Sequence, residues 1–322
     1  MRNATLRRAW PAGLLLAATV SLPTAGHAQA WLPDPGQGTL YVGYQYGKAH
    51  WELRPVDVSG AVFGPYTGGP GNKLFQGEHY GQSVTVDLDY GIGRELAVSA
   101  HIAHVASKYV GKRPHTDPNG QVVAVDNGHY HSTFQDAEMN LRRTVLHRPF
   151  SVTPFVGYRF PVQRYATLGH GALGHHLREL RLGATLARSL SPFLPDAYGL
   201  MTYTYSLAER EDDHTLHRNG LDMELGYFVT PRLSVKGAAS WVRTSGGIEW
   251  ILTSPDFVEH RFSHDPLANE RSWRIGGGAG YALAPRFTFY LIGFATVSGA
   301  NTHAMNTLST GVGWSFTTPW AD

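Results

Sequence analysis

The sequence predicts an all-β protein, a single transmembrane antiparallel up-and-down β-barrel of about 12 strands. Three observations lead there. Apolar and polar residues alternate with period two through most of the chain after Gly38. The alternating runs are about 10 to 12 residues long, roughly twice an ordinary soluble strand and close to what a tilted strand needs to cross a bilayer. The connections swing between turns of a few residues and stretches of up to about 27, as in barrels with short turns on one side of the membrane and long loops on the other.

Composition agrees. Of 322 residues only 16% are charged while 12% are aromatic, and there are 37 glycines, which favours aromatic strands joined by turns over helices. Mean hydropathy is −0.23, too low for a bundle of apolar helices. Cysteine is absent, which excludes a disulfide framework, a thiolate metal site, a cysteine nucleophile and a lipidated cysteine. Residues 1–30 read as a cleaved secretory signal peptide, with a basic start ending at Arg8, an apolar run from Ala9 to Val20, and Ala28-Gln29-Ala30 as the small-x-small cleavage site. Without the three arginines of that leader, 24 basic side chains face 25 acidic ones, so no nucleic-acid partner is expected. Residues 31–322 then form the barrel domain.

The first strand alternates Leu40, Val42, Tyr44 and Tyr46 with Thr39, Tyr41, Gly43 and Gln45. A Gly/Pro-rich loop near 52–78 follows. The hairpin from His79 to Val105 supplies strands two and three around Gly91-Ile92-Gly93-Arg94, and a second loop runs near 108–132. Strand four spans Thr133 to Leu146 and strand five Ser151 to Phe160, joined through His147-Arg148-Pro149. A Gly/His-rich loop near 161–176 precedes strand six (Leu177 to Ser189), and strand seven covers Ala197 to Leu207. A charged loop near 207–219 leads to strand eight, with Leu221, Met223, Leu225 and Tyr227 opposite Asp222, Glu224 and Gly226. Thr230-Pro231-Arg232 turns into strand nine, and a loop near 243–271 follows. Ala284-Pro285-Arg286 joins strands ten and eleven, and strand twelve runs from about Asn306 to Phe316.

The alternation assigns the faces. Asp87, Asp89, His101, Asp136, Glu138, Arg142, Arg159, Glu179, Arg181, Asp222, Glu224, Lys236 and Arg274 share the polar face, and the opposite faces are almost free of charge. A cation on a lipid face costs about 2–4 kcal/mol at mid-bilayer, so the charged face is expected to line the lumen. Unpaired backbone groups in lipid are costly as well, which requires the sheet to close. Tyr44, Tyr46, Tyr80, Tyr90, Trp241, Trp273, Tyr281, Phe287, Trp314 and Phe316 cluster near strand ends, as interfacial girdles do.

The stretch from Thr153 to Leu190, TPFVGYRFPVQRYATLGHGALGHHLRELRLGATLARSL, resembles a bacterial outer-membrane family labelled for the meta-pathway of phenol degradation. Shared with it are a strand ending in Phe160-Pro161, a Gly-rich loop, and a following strand with apolar-x-apolar-Gly at Leu180 to Gly183. The hairpin DYGIGRELAVS, Asp89 to Ser99, is similar to that family's repeated unit. After the proline this chain has Val162-Gln163-Arg164, where the family often has Thr-Gly-Asp. The resemblance implies a transporter-like outer-membrane barrel of a Gram-negative bacterium that passes small, often hydrophobic or aromatic, compounds.

Histidine is the compositional oddity, with 17. His-x-His and His-x-x-His spacing can present two imidazoles to Zn²⁺ or Cu²⁺, which makes His129, His131, His175, His176, His214 and His217 weak metal candidates. His101/His104 and His260/His264 are further local groups. The bland alternative is solvated loop histidines. His131-Ser132 lacks the pattern of a barrel phospholipase, so no enzyme activity and no cofactor are expected. Gly276-Gly277-Gly278 lies inside a strand and opens no helix, which excludes a dinucleotide fingerprint. The expected function is passive passage of a small solute, with outer-membrane lipid and that solute as partners. The alternative is a non-transporting binding or structural barrel whose His-rich loops take a metal or a partner. Oligomeric state is open.

Overall fold

The computed structural model describes residues 31–63, 66–111, 121–211, 213–251, 254–255 and 266–319. The proposed signal peptide, His115, His260 and His264 lie outside them. The described chain forms β1 (Gln37–Leu53), β2 (Val62–Phe63), β3 (Tyr66–Gly68), β4 (Lys73–Phe75), β5 (Gly77–Gly93), β6 (Leu96–Gly111), a 3-10 turn (Ala124–Asp126), β7 (His131–Phe134), β8 (Asp136–Arg143), β9 (Ser151–Pro161), β10 (Glu179–Ser189), β11 (Ala197–Glu211), β12 (His214–Phe228), β13 (Leu233–Ser245), β14 (Arg271–Ala284), β15 (Phe287–Ala300) and β16 (Thr302–Thr317). β2, β3, β4 and β7 are short additions at one end. The other twelve make a meander in which each strand pairs antiparallel with the next. β16 returns to pair with β1 from Thr317 beside Gln37 to Thr302 beside Leu53, and the barrel is closed.

Closure leaves the twelve barrel strands without a free edge, and the period of two turns one face of each outward. Met139 is 55% exposed and Leu225 57%, while Glu179 and Arg142, on the opposite face, are 1% exposed. The outward face carries Val42, Val84, Val86, Leu141, Val156, Leu180, Leu182, Val235, Leu291 and Val312. Outward aromatics gather toward the strand ends: Trp241 lies against Trp273, and Trp314 and Tyr90 lie against Phe316. In water an apolar surface of this extent is an aggregation liability; in a bilayer it is the solvated face. This is the architecture of an outer-membrane barrel of a Gram-negative bacterium.

At one end β5–β6 and β14–β15 are joined by two residues each, and the β1 and β16 ends lie side by side, with the Thr318 N–H donating to the Gly36 carbonyl at 2.8 Å. At the other end four connections are long, but two are not. β11 runs to Glu211 and β12 starts at His214, so most of the loop anticipated near 207–219 is strand. β15 and β16 are separated by Asn301 alone. Asp213 (φ 63°) and Asn301 (φ 54°) take the left-handed conformation that such turns demand and that Asp and Asn tolerate. Beyond the bilayer both faces of a hairpin can be polar. The alternation signal therefore fades at Glu209-Arg210-Glu211 although the backbone pairing continues.

Candidate functional site

β8 places Asp136, Glu138 and Arg142 inward, each buried, with outward Ala137, Met139 and Leu141 between them. Their partners come from neighbouring strands and from strands one further round, contacts that only the concave side of a barrel allows. Arg159 on β9 bonds Glu138 at 2.8 Å and reaches Glu179 on β10 at 3.6 Å. Arg181 on β10 pairs with Glu138 across β9, Arg218 on β12 pairs with Glu179 across β11, and Arg142 pairs with Asp89 across β6. His101 Nδ1 and Asp87 lie 2.6 Å apart, and Lys236 on β13 pairs with Glu224 on β12 at 2.8 Å. Asp222 acts on Arg181 through space, and Arg274 on β14 is exposed. Buried charges of this kind persist when paired and hydrogen-bonded, as these are. Arg218 belongs to the network although it lies in the stretch near 207–219 expected to be a loop. Stepping back in twos from Asp222 through Gly220 reaches it.

The interior is lopsided. From β5 through β14 it carries the charges; across β15, β16 and the barrel-spanning part of β1 it offers Tyr290, Thr288, Thr307, Ser309, Gly311, Tyr41, Gly43 and Gln45. Several inward aromatics lie flat over a glycine directly opposite on the next strand: Tyr41 over Gly313, Phe155 over Gly183, Tyr198 over Gly226 and Phe294 over Gly276. A Cβ on Gly226 would sit 2.2 Å from the Tyr198 ring, so these glycines make room for rings against the wall. Tyr198 in turn donates from its hydroxyl to Glu224 at 2.6 Å.

Both ends are narrowed by the chain itself. At the short-turn end Pro35 bridges Gly91 on β5, and Trp31 meets Tyr198 edge-on at 5.8 Å. Since β11 lies opposite β1 in the ring of strands, residues 31–36 cross the opening. At the other end the 162–178 connection and residues 246–251 and 266–270 turn inward. Leu177, Leu216, Ile248, Trp250 and Leu267 form an apolar cluster there, and Gln135 donates to the Leu173 carbonyl at 2.8 Å. The Tyr165 hydroxyl donates to Asp136 at 2.6 Å and accepts from the His176 N–H at 2.8 Å. His175 donates from Nδ1 to the Pro266 carbonyl at 2.8 Å; burial, and then the Arg218 charge, lower its pKa to about 4.

The six weak metal candidates do not assemble. His129 is exposed, His131 bonds Asn127 at 2.9 Å, His214 is half-buried at a hairpin tip, and His217 bonds the Tyr205 hydroxyl at 2.7 Å. His175 and His176 are held by Pro266 and Tyr165 as above. His101 points inward while His104 lies against outward Phe134. Among the described residues the ligand atoms that do converge are those of Glu52, His79 and His303, all within 4.8 Å of one another. Sequence spacing gave no hint of this group, because three strands contribute one residue each.

No family model and no curated protein matches the chain by sequence. Among solved structures, the COG4313 outer membrane channel from Pseudomonas putida F1 is similar at a TM-score of 0.60 and 11% identity, over 92% of this chain and 100% of that one. The translocator domain of the autotransporter NalP from Neisseria meningitidis is similar at 0.51 and 12% identity, over 88% and 90%. At such identities the likeness concerns the fold, a closed outer-membrane barrel.

Proposed function

We propose that this barrel is an outer-membrane channel for passive passage of a small solute, and that the long-connection end faces the cell exterior. The observation that carries the reading is the inward ion-pair network from Asp89 through Glu138 and Glu179 to Glu224, set against an uncharged aromatic and hydroxyl wall. A barrel that served only as a membrane anchor needs an apolar outside; nothing in that role calls for a wall divided into a charged and an uncharged half. Fixed charges near a narrow path set which solutes enter, as in selectivity linings. The uncharged wall, with Tyr41 and Tyr290 flat against glycine, suits an apolar or aromatic solute. Two further supports are the full-length likeness to a protein described as an outer membrane channel and the resemblance of Thr153 to Leu190 to the family labelled for phenol degradation. The lining residues proposed are Asp87, Asp89, His101, Asp136, Glu138, Arg142, Arg159, Glu179, Arg181, Asp222, Glu224, Lys236 and Arg274.

Conductance of the refolded protein in planar bilayers tests this. Discrete steps are expected. Glu138→Ala frees Arg159 and Arg181 from their shared carboxylate and should shift the reversal potential in a salt gradient toward anion preference. A folded barrel that neither conducts ions nor passes small aromatic compounds into liposomes would end the channel reading.

A further inference from the structure

The interior strands meet at a seam, β1 against β16, and just above it three ligating side chains converge from adjacent strands. β1 alternates with Tyr41, Gly43, Gly47 and Ala49 inward. Between Ala49 and Glu52 its register against β16 slips, three residues facing two, from Ala49 beside Met305 to Glu52 beside His303. Such a bulge re-aims the following side chain. Glu52, which strict alternation would send outward, turns inward and is 3% exposed. On one side of it β5 presents His79, beside Ala49 in the ladder, and on the other β16 presents His303. The two imidazole rings lie 3.9 Å apart, and the ligand atoms of all three residues fall within 4.8 Å of one another.

We propose that Glu52, His79 and His303 bind a divalent transition-metal ion of the zinc type. Two imidazoles and one carboxylate are a ligand set that suits Zn²⁺, with bonds of about 2.0–2.2 Å that place donors roughly 3.3 Å apart in tetrahedral geometry. Ligand atoms now within 4.8 Å of one another reach that spacing if the widest separation closes by about 1.5 Å through side-chain rotation. Magnesium and calcium prefer oxygen ligands throughout. The carboxylate is already oriented: Arg54 holds Oε2 at 2.6 Å, and Oε1 lies 3.8 Å from His170 Nδ1. That outer hydrogen bond fixes the ligand as the partners of metal-bound carboxylates do. Space for solvent to complete the coordination lies alongside, in a cavity of about 140 Å³ bordered by His303, Trp250, Glu270 and Asn301. His170 approaches from the 162–178 connection, with Nδ1 3.8 Å from Glu52 Oε1 and its ring 4.5 Å from Tyr109, and so borders the site without being one of its three ligands. The site does not depend on conduction, since a sealed barrel would bind zinc equally well.

The test is zinc binding by tag-free protein refolded in detergent, stripped with EDTA and equilibrated with ZnCl₂. One equivalent should remain bound, and Co²⁺ in its place should give visible d–d absorption. His79→Ala and His303→Ala should each weaken binding at least tenfold, whereas a variant with both His129→Ala and His131→Ala should bind as the parent does. Folding of each variant is checked by the mobility of unheated samples on gels. Should an alanine variant fail to fold, Glu52→Gln keeps the side-chain volume and should still weaken binding at least tenfold. No stoichiometric zinc, or zinc retained at full strength by folded His79→Ala and His303→Ala, or lost in the His129/His131 variant, would overturn the proposal.

Discussion

Asn301 shows how much one side chain can hold. It is 1% exposed, forms the one-residue turn between β15 and β16, and takes a left-handed backbone conformation. Its amide donates to Glu249 at 2.7 Å and to the Asn269 carbonyl at 2.8 Å, and its carbonyl oxygen accepts from the Trp250 N–H at 2.8 Å. The side chain thus fastens Glu249, Trp250 and Asn269, at the two ends of the β13–β14 connection, to the β15–β16 turn. Asn301→Ala removes three hydrogen bonds, one buried and two part-buried, and puts alanine at positive φ, a loss of about 3 kcal/mol that falls on the docking of that connection. Limited proteolysis within 246–270 should accelerate by an order of magnitude or more while the barrel strands stay protected. Equal protection in the variant would show that the connection is held by its apolar contacts alone. Asn301→Gly separates the terms, since glycine relieves the backbone but restores none of the bonds.

Among the elements, the inward 162–178 connection carries a histidine whose charge state is tied to its docking. Its His175 is part-buried, with Arg218, Glu179 and Glu270 as charged neighbours. The folded pKa, about 4, lies below the free imidazole value near 6.5. The undocked segment therefore binds the extra proton first, and docking is fully stable above about pH 6.5 and weakens as pH falls toward 4, by up to about 3 kcal/mol. Hydrogen exchange of residues 165–177 should rise over that window in the parent and stay flat in His175→Gln; a flat profile in both would remove the histidine from the account. The elements themselves were legible in the residues. Alternation marked all twelve barrel strands because lipid outside and an inner face of small, polar and paired charged side chains enforce it, and it assigned Asp136, Glu138 and Arg142 to one face of β8. It ran out where that constraint stops. Glu209-Arg210-Glu211 reads as loop but pairs as strand above the bilayer, and Glu52 changes face through a bulge whose only cause is local geometry. A cluster drawn from β1, β5 and β16 has no spacing to read, so adjacent histidines drew attention that separated ones deserved.

At the scale of the molecule, one hydrogen bond stands for the whole closure: Ser309 donates to Gln45 at 3.0 Å across 264 residues of sequence. Considered in time instead of space, the seam is the costliest contact to reach, because every other barrel pairing joins strands that follow each other in the chain. Until β16 arrives, β1 is an open edge able to pair with another chain, so refolding competes with misassembly up to its last step. The absence of cysteine makes this measurable. Paired residues on antiparallel strands sit within the Cα separation a disulfide requires. In the variant Ser83→Cys/Val105→Cys the crosslink within the β5–β6 hairpin should become trappable early in refolding. In Gln45→Cys/Ser309→Cys the seam crosslink should become trappable only as the mature gel mobility appears. Simultaneous trapping of both would mean that the ends of the chain meet before the wall between them is built.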